Sequence, residues 1–117
     1  MNNFSMIIFG ASGDLTKRKL MPALYSLYTN DRLEKNFSII GAARTPYSDD
    51  EFRTYILEQM NEFVKPEDRD EKRFKDFVSH IYYQPTDPSK ADDYLALKQK
   101  IQEVTSEEEP DNMLFYL

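Results

Sequence analysis

The residues of this chain that are best suited to chemistry lie near its beginning, where a short apolar segment runs into two glycines. Gly10 and Gly13 are three residues apart, and Lys17, Arg18 and Lys19 follow them closely. Glycine lets the backbone approach a phosphate, and a helix N-terminus offers unpaired N–H groups and the positive end of its dipole. The segment is therefore predicted to bind the pyrophosphate of a dinucleotide.

A simpler interpretation of the same turn stays open. The spacing departs from the usual G-x-G-x-x-G pattern, and Thr16 occupies the last position, where a smaller residue is typical. An ordinary turn from strand to helix, with Ser12 or Asp14 as the N-cap, would explain these residues without any ligand. A phosphate-binding loop of the nucleoside-triphosphatase type is excluded, because that loop needs Gly-Lys-Ser/Thr and Lys17 here follows Thr16.

A second candidate site follows the next predicted strand, residues 37–41. In NAD-binding sheets an acidic side chain at this strand end accepts hydrogen bonds from the ribose. Here no acid occurs between the strand and Asp49, and Arg44 and Thr45 stand in its place. A guanidinium at this position pairs with the 2′-phosphate of NADP, to which the Thr45 hydroxyl adds a donor. The pattern favours NADP over NAD, and an ordinary surface role for Arg44 is the open alternative.

These residues need strands that end together at one edge of a sheet. Four apolar segments are predicted as strands, at residues 5–9, 37–41, 79–84 and 112–117. Segments with helical spacing of apolar residues lie between them. This alternation predicts an α/β fold with a Rossmann-like, doubly wound parallel sheet, truncated after the fourth strand.

The helices carry their own start and stop signals. Ser48 and Glu51 predict a capping box at the start of a helix. Pro22 conflicts with an unbroken first helix, so a kink or a restart is expected there. A further helix is predicted over residues 67–78, and Ser89 is predicted to cap the last one.

Composition narrows the classes of function. The chain has 117 residues, of which 40% are hydrophobic, enough for one compact domain with a core. Its formal net charge of −6 disfavours nucleic-acid binding, and its lack of cysteine excludes disulfides and cysteine-ligated metal. Without a signal peptide or a membrane-length apolar segment, a soluble cytoplasmic protein with no metal site is expected. The uncovered apolar fourth strand suggests a fragment.

Three stretches resemble one family. Residues 10–24 read GASGDLTKRKLMPAL and closely resemble the N-terminal signature of the glucose-6-phosphate dehydrogenase family. Residues 40–44, IGAAR, look like the arginine-bearing end of its second strand, and residues 112–117, NMLFYL, look like its fourth strand. The GDLTKRKLMP portion is highly specific. The resemblance covers essentially the whole chain but only about the first quarter of such an enzyme.

The resemblance implies a reaction and a set of binding residues. The whole enzyme oxidises glucose 6-phosphate to 6-phosphogluconolactone and passes hydride from C1 of the sugar to NADP. The implied pyrophosphate contacts are Gly10, Ala11, Ser12, Gly13, Asp14 and Leu15. Arg44 would hold the 2′-phosphate, Asp87 would lie near the adenosine, and Lys19 would contact substrate or cofactor at the reacting end. The implied partners are NADP and glucose 6-phosphate, with a homo-oligomer expected for the full-length enzyme.

The catalytic base of the family is missing from this sequence. That base is a histidine in a downstream Arg-Ile-Asp-His-Tyr-Leu-Gly-Lys segment, which does not occur in these residues. His80 is interpreted as structural. Residues 1–117 are therefore expected to be an incomplete NADP-binding domain that is inactive alone, its substrate and dimerisation domain being absent. The alternative is a self-contained NADP-binding or sensing module without catalysis.

Overall fold

The computed structural model describes residues 3–10, 19–30, 36–105 and 113–116, in which strands and helices alternate. The strands are β1 (Asn3–Phe9), β2 (Asn36–Ala43), β3 (Ile81–Pro85) and β4 (Met113–Tyr116). The helices are α1 (Met21–Thr29), α2 (Asp49–Phe63), α3 (Glu71–Val78) and α4 (Ala91–Thr105). A short 3₁₀-helix, Pro66–Asp68, lies between α2 and α3.

The described strands form a parallel sheet in the order β3-β2-β1-β4. Ile7 of β1 lies opposite Ile40 of β2 on one side and Phe115 of β4 on the other. Ile40 in turn lies opposite Tyr82 of β3. Starting from β1, the chain adds β2 and β3 on one side and then crosses back to add β4 on the other side of β1. This strand order is that of doubly wound Rossmann-like folds. The predicted α/β fold is confirmed.

Helices cover both faces of the sheet, which explains why its strands are apolar on both sides. Successive residues of β1 point to opposite faces, so Met6 and Ile8 share a core with α1, α2 and α3, whereas Ile7 packs with α4. The larger core includes Met21, Leu24, Phe52, Ile56, Phe74 and Phe77. The smaller one contains Ile7, Ile40, Ala42, Leu97 and Ile101.

The start of α2 is as predicted. The Glu51 backbone N–H donates to the Ser48 hydroxyl over 3.1 Å, and the Ser48 backbone N–H donates to the Glu51 carboxylate over 3.0 Å. This capping box satisfies two N–H groups that the helix itself leaves unpaired. It fixes the point at which the loop after β2 turns into α2.

Pro22 lies in the first turn of α1, directly after a π-helical turn at residues 19–20, which agrees with the restart expected at this proline. Other element boundaries differ from the predictions. Helix α3 begins at Glu71, capped by Asp70, rather than at residue 67. The Ser89 cap is wrong: α4 begins at Ala91, and the Ser89 hydroxyl instead donates to Asp87. Among the described residues, no helix is long and apolar enough to cross a membrane.

Candidate dinucleotide site

Four predicted binding residues that the structure describes lie at the carboxyl ends of the strands: Gly10, Arg44, Thr45 and Asp87. Gly10 follows β1, Arg44 follows β2, and Asp87 follows β3. A cleft of about 290 Å³ opens between these ends and is lined by Phe9, Gly10, Ala42, Ala43, Arg44, Thr45, Thr86 and Pro88. Ligands of doubly wound sheets bind at this edge.

Gly10 has the backbone conformation that the predicted turn requires. Its φ is +72°, in the left-handed region that glycine adopts without steric cost. Its N–H donates to the Ala42 carbonyl over 2.8 Å, which ties the turn to β2. No atom of the other described residues lies within 4 Å of a Cβ built on Gly10. Its conformation therefore favours glycine at this position.

Other residues of the predicted site lie either outside the described residues or outside the lining of the cleft. Ala11, Ser12, Gly13, Asp14 and Leu15 lie outside the described residues, so their pyrophosphate contacts stay predictions. Lys19 precedes α1 by two residues and is exposed. The residues lining the cleft do not include it.

Hydrogen bonds from Tyr83 of β3, from Thr86 after β3 and from Tyr47 fix the backbone of the loop that carries Arg44. The Tyr83 hydroxyl lies 3.0 Å from the Ala43 carbonyl oxygen and 2.7 Å from that of Thr45. The Thr86 N–H also donates to Ala43, over 2.7 Å, and the Tyr47 N–H donates to Thr45, over 3.0 Å. Sequence reasoning missed Tyr83 because its partners lie about 40 residues earlier, where the type of residue alone gives no signal of the contact.

Arg44 lines the cleft, whereas Asp87 lies between two of its lining residues, Thr86 and Pro88. The Asp87 carboxylate accepts hydrogen bonds from the Ser89 hydroxyl, over 2.7 Å, and from the Ser89 N–H, over 2.9 Å. These bonds hold the pKa of Asp87 below its ordinary value, and the positive charges of Arg44 and Lys90 lower it further. The Asp87 side chain is therefore ionised at neutral pH and lies within electrostatic reach of the exposed Arg44.

His80 lies at the other end of the sheet. It precedes β3, whereas the cleft is at the end of β1, β2 and β3. Its ring stacks on Phe37 with centroids 4.1 Å apart, and its Nδ1 lies 3.0 Å from the Phe37 carbonyl oxygen. Packing and this contact account for His80, which agrees with its structural interpretation.

Comparison with known proteins identifies the family of this chain. Residues 7–117 match the family described as "Glucose-6-phosphate dehydrogenase, NAD binding domain". The glucose-6-phosphate 1-dehydrogenase of Aggregatibacter actinomycetemcomitans is 42% identical over 116 residues, 98% of this chain and 23% of that protein. That of Streptococcus pneumoniae serotype 4 is 39% identical over 111 residues, covering 94% and 22% of the two chains.

Solved structures give the same result. A glucose-6-phosphate dehydrogenase in complex with its substrate glucose-6-phosphate superposes with a TM-score of 0.82 at 35% identity, over 99% of this chain and 24% of that one. The enzyme from Mycobacterium avium gives a TM-score of 0.75 at 27% identity, over 99% and 23%. The chain thus spans less than a quarter of the length of these relatives. It belongs to the glucose-6-phosphate dehydrogenase family and matches the NAD-binding domain of that family.

Proposed function

We propose that this chain is the coenzyme-binding part of a glucose-6-phosphate dehydrogenase that uses NADP. The observation that carries the proposal is the cleft itself, in which the positive-φ Gly10 and the exposed Arg44 lie at adjacent strand ends. The Gly10 N–H donates to Ala42, so the pyrophosphate is proposed to meet the backbone N–H groups of the turn that follows Gly10, whereas a guanidinium at the end of β2 suits a 2′-phosphate. In the reaction of the whole enzyme, the nicotinamide of NADP accepts a hydride from C1 of glucose 6-phosphate.

Each residue near the cleft has a role in this proposal. The turn from Gly10 to Leu15 holds the pyrophosphate, and Arg44 pairs with the 2′-phosphate. Thr45, half-buried beside Arg44, offers its hydroxyl to the same phosphate. Asp87 borders the adenosine, and Lys19 reaches toward the substrate end. Orientation of the coenzyme is what these residues contribute, because hydride transfer depends on the relative position of donor and acceptor.

We further propose that residues 1–117 form an incomplete domain of a longer enzyme. Phe115 of β4 is 53% exposed and stacks on Phe9 with ring centroids 6.3 Å apart. Helix α4 packs on β2 and β3, on the same face of the sheet. Further chain that packs over β1 and β4 would bury these rings. The relatives are long enough to contain such further chain. The substrate site, the general base and any dimer interface then belong to that further chain.

The coenzyme proposal is tested by measuring the affinity of the chain for NADP and for NAD, with and without Arg44→Ala. The variant is expected to weaken NADP by about 10- to 100-fold, the value of hydrogen bonds to a charged group, and to change NAD by less than about twofold. Lys98→Ala, an exposed lysine of α4, removes the same charge away from the lining residues and is the matched control. Equal losses for both coenzymes would contradict the role of Arg44, and a chain that binds neither would overturn the function.

A further inference from the structure

The Tyr83 hydroxyl contacts the backbone on both sides of Arg44. It lies 3.0 Å from the carbonyl oxygen of Ala43 and 2.7 Å from that of Thr45, the residues immediately before and after the arginine. One hydroxyl proton is shared between two acceptors in this arrangement. The contact therefore limits the rotation of the peptide group just before Arg44 and of the peptide group between Thr45 and Pro46.

The Tyr83 side chain is itself rigidly placed. It is 2% exposed and packs against Phe52, with ring centroids 4.6 Å apart, and edge-on against Tyr47 at 5.5 Å. Its backbone N–H donates to the Asp49 carboxylate over 2.7 Å. Burial raises the pKa of Tyr83 to about 12, so the hydroxyl keeps its proton and acts as a donor at neutral pH.

We propose that Tyr83 is a positioning residue for coenzyme choice, because its hydroxyl fixes the backbone from which Arg44 reaches the 2′-phosphate. This inference rests on the proposed function, in which Arg44 distinguishes NADP from NAD. A guanidinium distinguishes them only if it is held where the phosphate arrives, since an unordered side chain must be immobilised during binding. Tyr83 acts through Arg44 and touches no coenzyme itself.

The structure offers a variant that removes the positioning contact alone. Tyr83→Phe deletes the hydroxyl and leaves the ring, with its packing on Phe52 and Tyr47. Both carbonyls keep another donor, since Ala43 still accepts from the Thr86 N–H and Thr45 from the Tyr47 N–H. The substitution therefore leaves no buried acceptor unpaired, and the fold is expected to survive it.

The matched control is Tyr82→Phe. Tyr82 is the neighbouring residue of β3, and its ring faces the opposite side of the sheet, where Arg53 lies 4.8 Å and Lys100 5.8 Å from its centroid. Both substitutions remove a phenolic hydroxyl from the same strand. Only that of Tyr83 contacts the loop that carries Arg44.

The experiment measures the dissociation constants of NADP and NAD for the full chain and for Tyr83→Phe, Tyr82→Phe, Arg44→Ala and the Arg44→Ala/Tyr83→Phe double variant. Tyr83→Phe is expected to weaken NADP by about 3- to 10-fold and NAD by less than about twofold. Tyr82→Phe should leave the ratio unchanged. In the Arg44→Ala background the Tyr83 substitution should have no further effect on that ratio, because its effect passes through Arg44.

The outcomes distinguish a failure of the proposed role of Tyr83 from a failure of the proposed role of Arg44. If Arg44→Ala leaves the NADP-to-NAD ratio unchanged, the proposed role of Arg44 fails. If Arg44→Ala changes the ratio and Tyr83→Phe does not, the role of Arg44 stands and that of Tyr83 is overturned. A Tyr83→Phe effect that persists in full without Arg44, or that weakens both coenzymes equally, also overturns it, since either result indicates a general structural role.

Discussion

At the scale of single residues, a cation that follows β2 and an anion that follows β3 interact electrostatically. Arg44 is suited to bind the 2′-phosphate of NADP, whereas the ionised Asp87 repels the same phosphate. The Asp87 carboxylate is held in place by two hydrogen bonds from Ser89 and has the chemistry to accept one from a ribose hydroxyl. Asp87 after β3 is thus our candidate for the role that an acid after β2 has in NAD-binding sheets.

We predict that Asp87→Asn raises the preference of the chain for NADP. The amide keeps the size of the side chain and removes the negative charge beside Arg44. NADP affinity should rise by about 2- to 5-fold, the size of a partly screened charge interaction, and NAD affinity should stay level or fall. Titration of both coenzymes at low and at physiological salt measures the change, which should shrink as salt screens it.

The matched control for this prediction is Glu103→Gln. It makes the same change of charge on an exposed residue in the last turn of α4, far along the helix from the cleft. If only the net charge of the protein mattered, both variants would change the NADP and NAD affinities by the same factor. A ratio of affinities that is unchanged in Asp87→Asn would show that the carboxylate does not act on the 2′-phosphate.

At the scale of elements, the outer edge of β3 is closed by side chains from two helices. The Arg53 Nε of α2 donates to the Ile81 carbonyl over 2.7 Å, and the Asp49 carboxylate accepts from the Tyr83 N–H over 2.7 Å. Lys100 of α4 then donates to the other Asp49 oxygen over 2.7 Å. Because β3 is an edge strand of the described sheet, these bonds satisfy groups that would otherwise be open to another chain.

We predict that Asp49→Ala costs about 1–3 kcal/mol of the free energy of unfolding, because it leaves the Tyr83 N–H and the Lys100 ammonium without their acceptor. Asp50→Ala is the matched control, as the next residue of the same helix turn with a side chain 94% exposed. Its single ion pair with Arg53, at 3.4 Å, is expected to contribute less than about 0.5 kcal/mol. Urea denaturation of both variants measures the difference, and equal losses would contradict the role of Asp49.

The same elements show which features a sequence can predict. The capping box of Ser48 and Glu51 was predictable because both partners lie within one helical turn. The start of α3 was misplaced by four residues, since Pro66 is compatible with the 3₁₀ turn that precedes Asp70 as well as with a helix start. The position of Arg44 directly after a strand was predictable from the apolar run that precedes it. The contact of Tyr83 was not, because it depends on the register of β2 against β3, which no local pattern specifies.

At the scale of the whole molecule, the two faces of the sheet are unequally covered by the described residues. Helices α1, α2 and α3 share one face, and α4 lies on the other. The stacked rings of Phe9 and Phe115 lie on the less covered face, beside Ile7. An exposed apolar surface next to a strand edge favours association with another chain. Whether the Phe115 ring is exposed therefore depends on whether further chain packs on this face of the sheet.

We predict that Phe115→Ser reduces self-association of the 117-residue chain but lowers the stability of a longer protein that contains it. In the shorter chain the substitution removes an exposed ring, so it should reduce concentration-dependent self-association in sedimentation equilibrium. In the longer protein further chain is proposed to bury that ring, so the same substitution should lower the free energy of unfolding by about 2–4 kcal/mol. Leu95→Ser, at a residue of α4 that is 61% exposed, controls for the loss of a surface apolar group. If Phe115→Ser and Leu95→Ser behave alike in both proteins, Phe115 stays at the surface, and the incomplete-domain proposal loses its structural support.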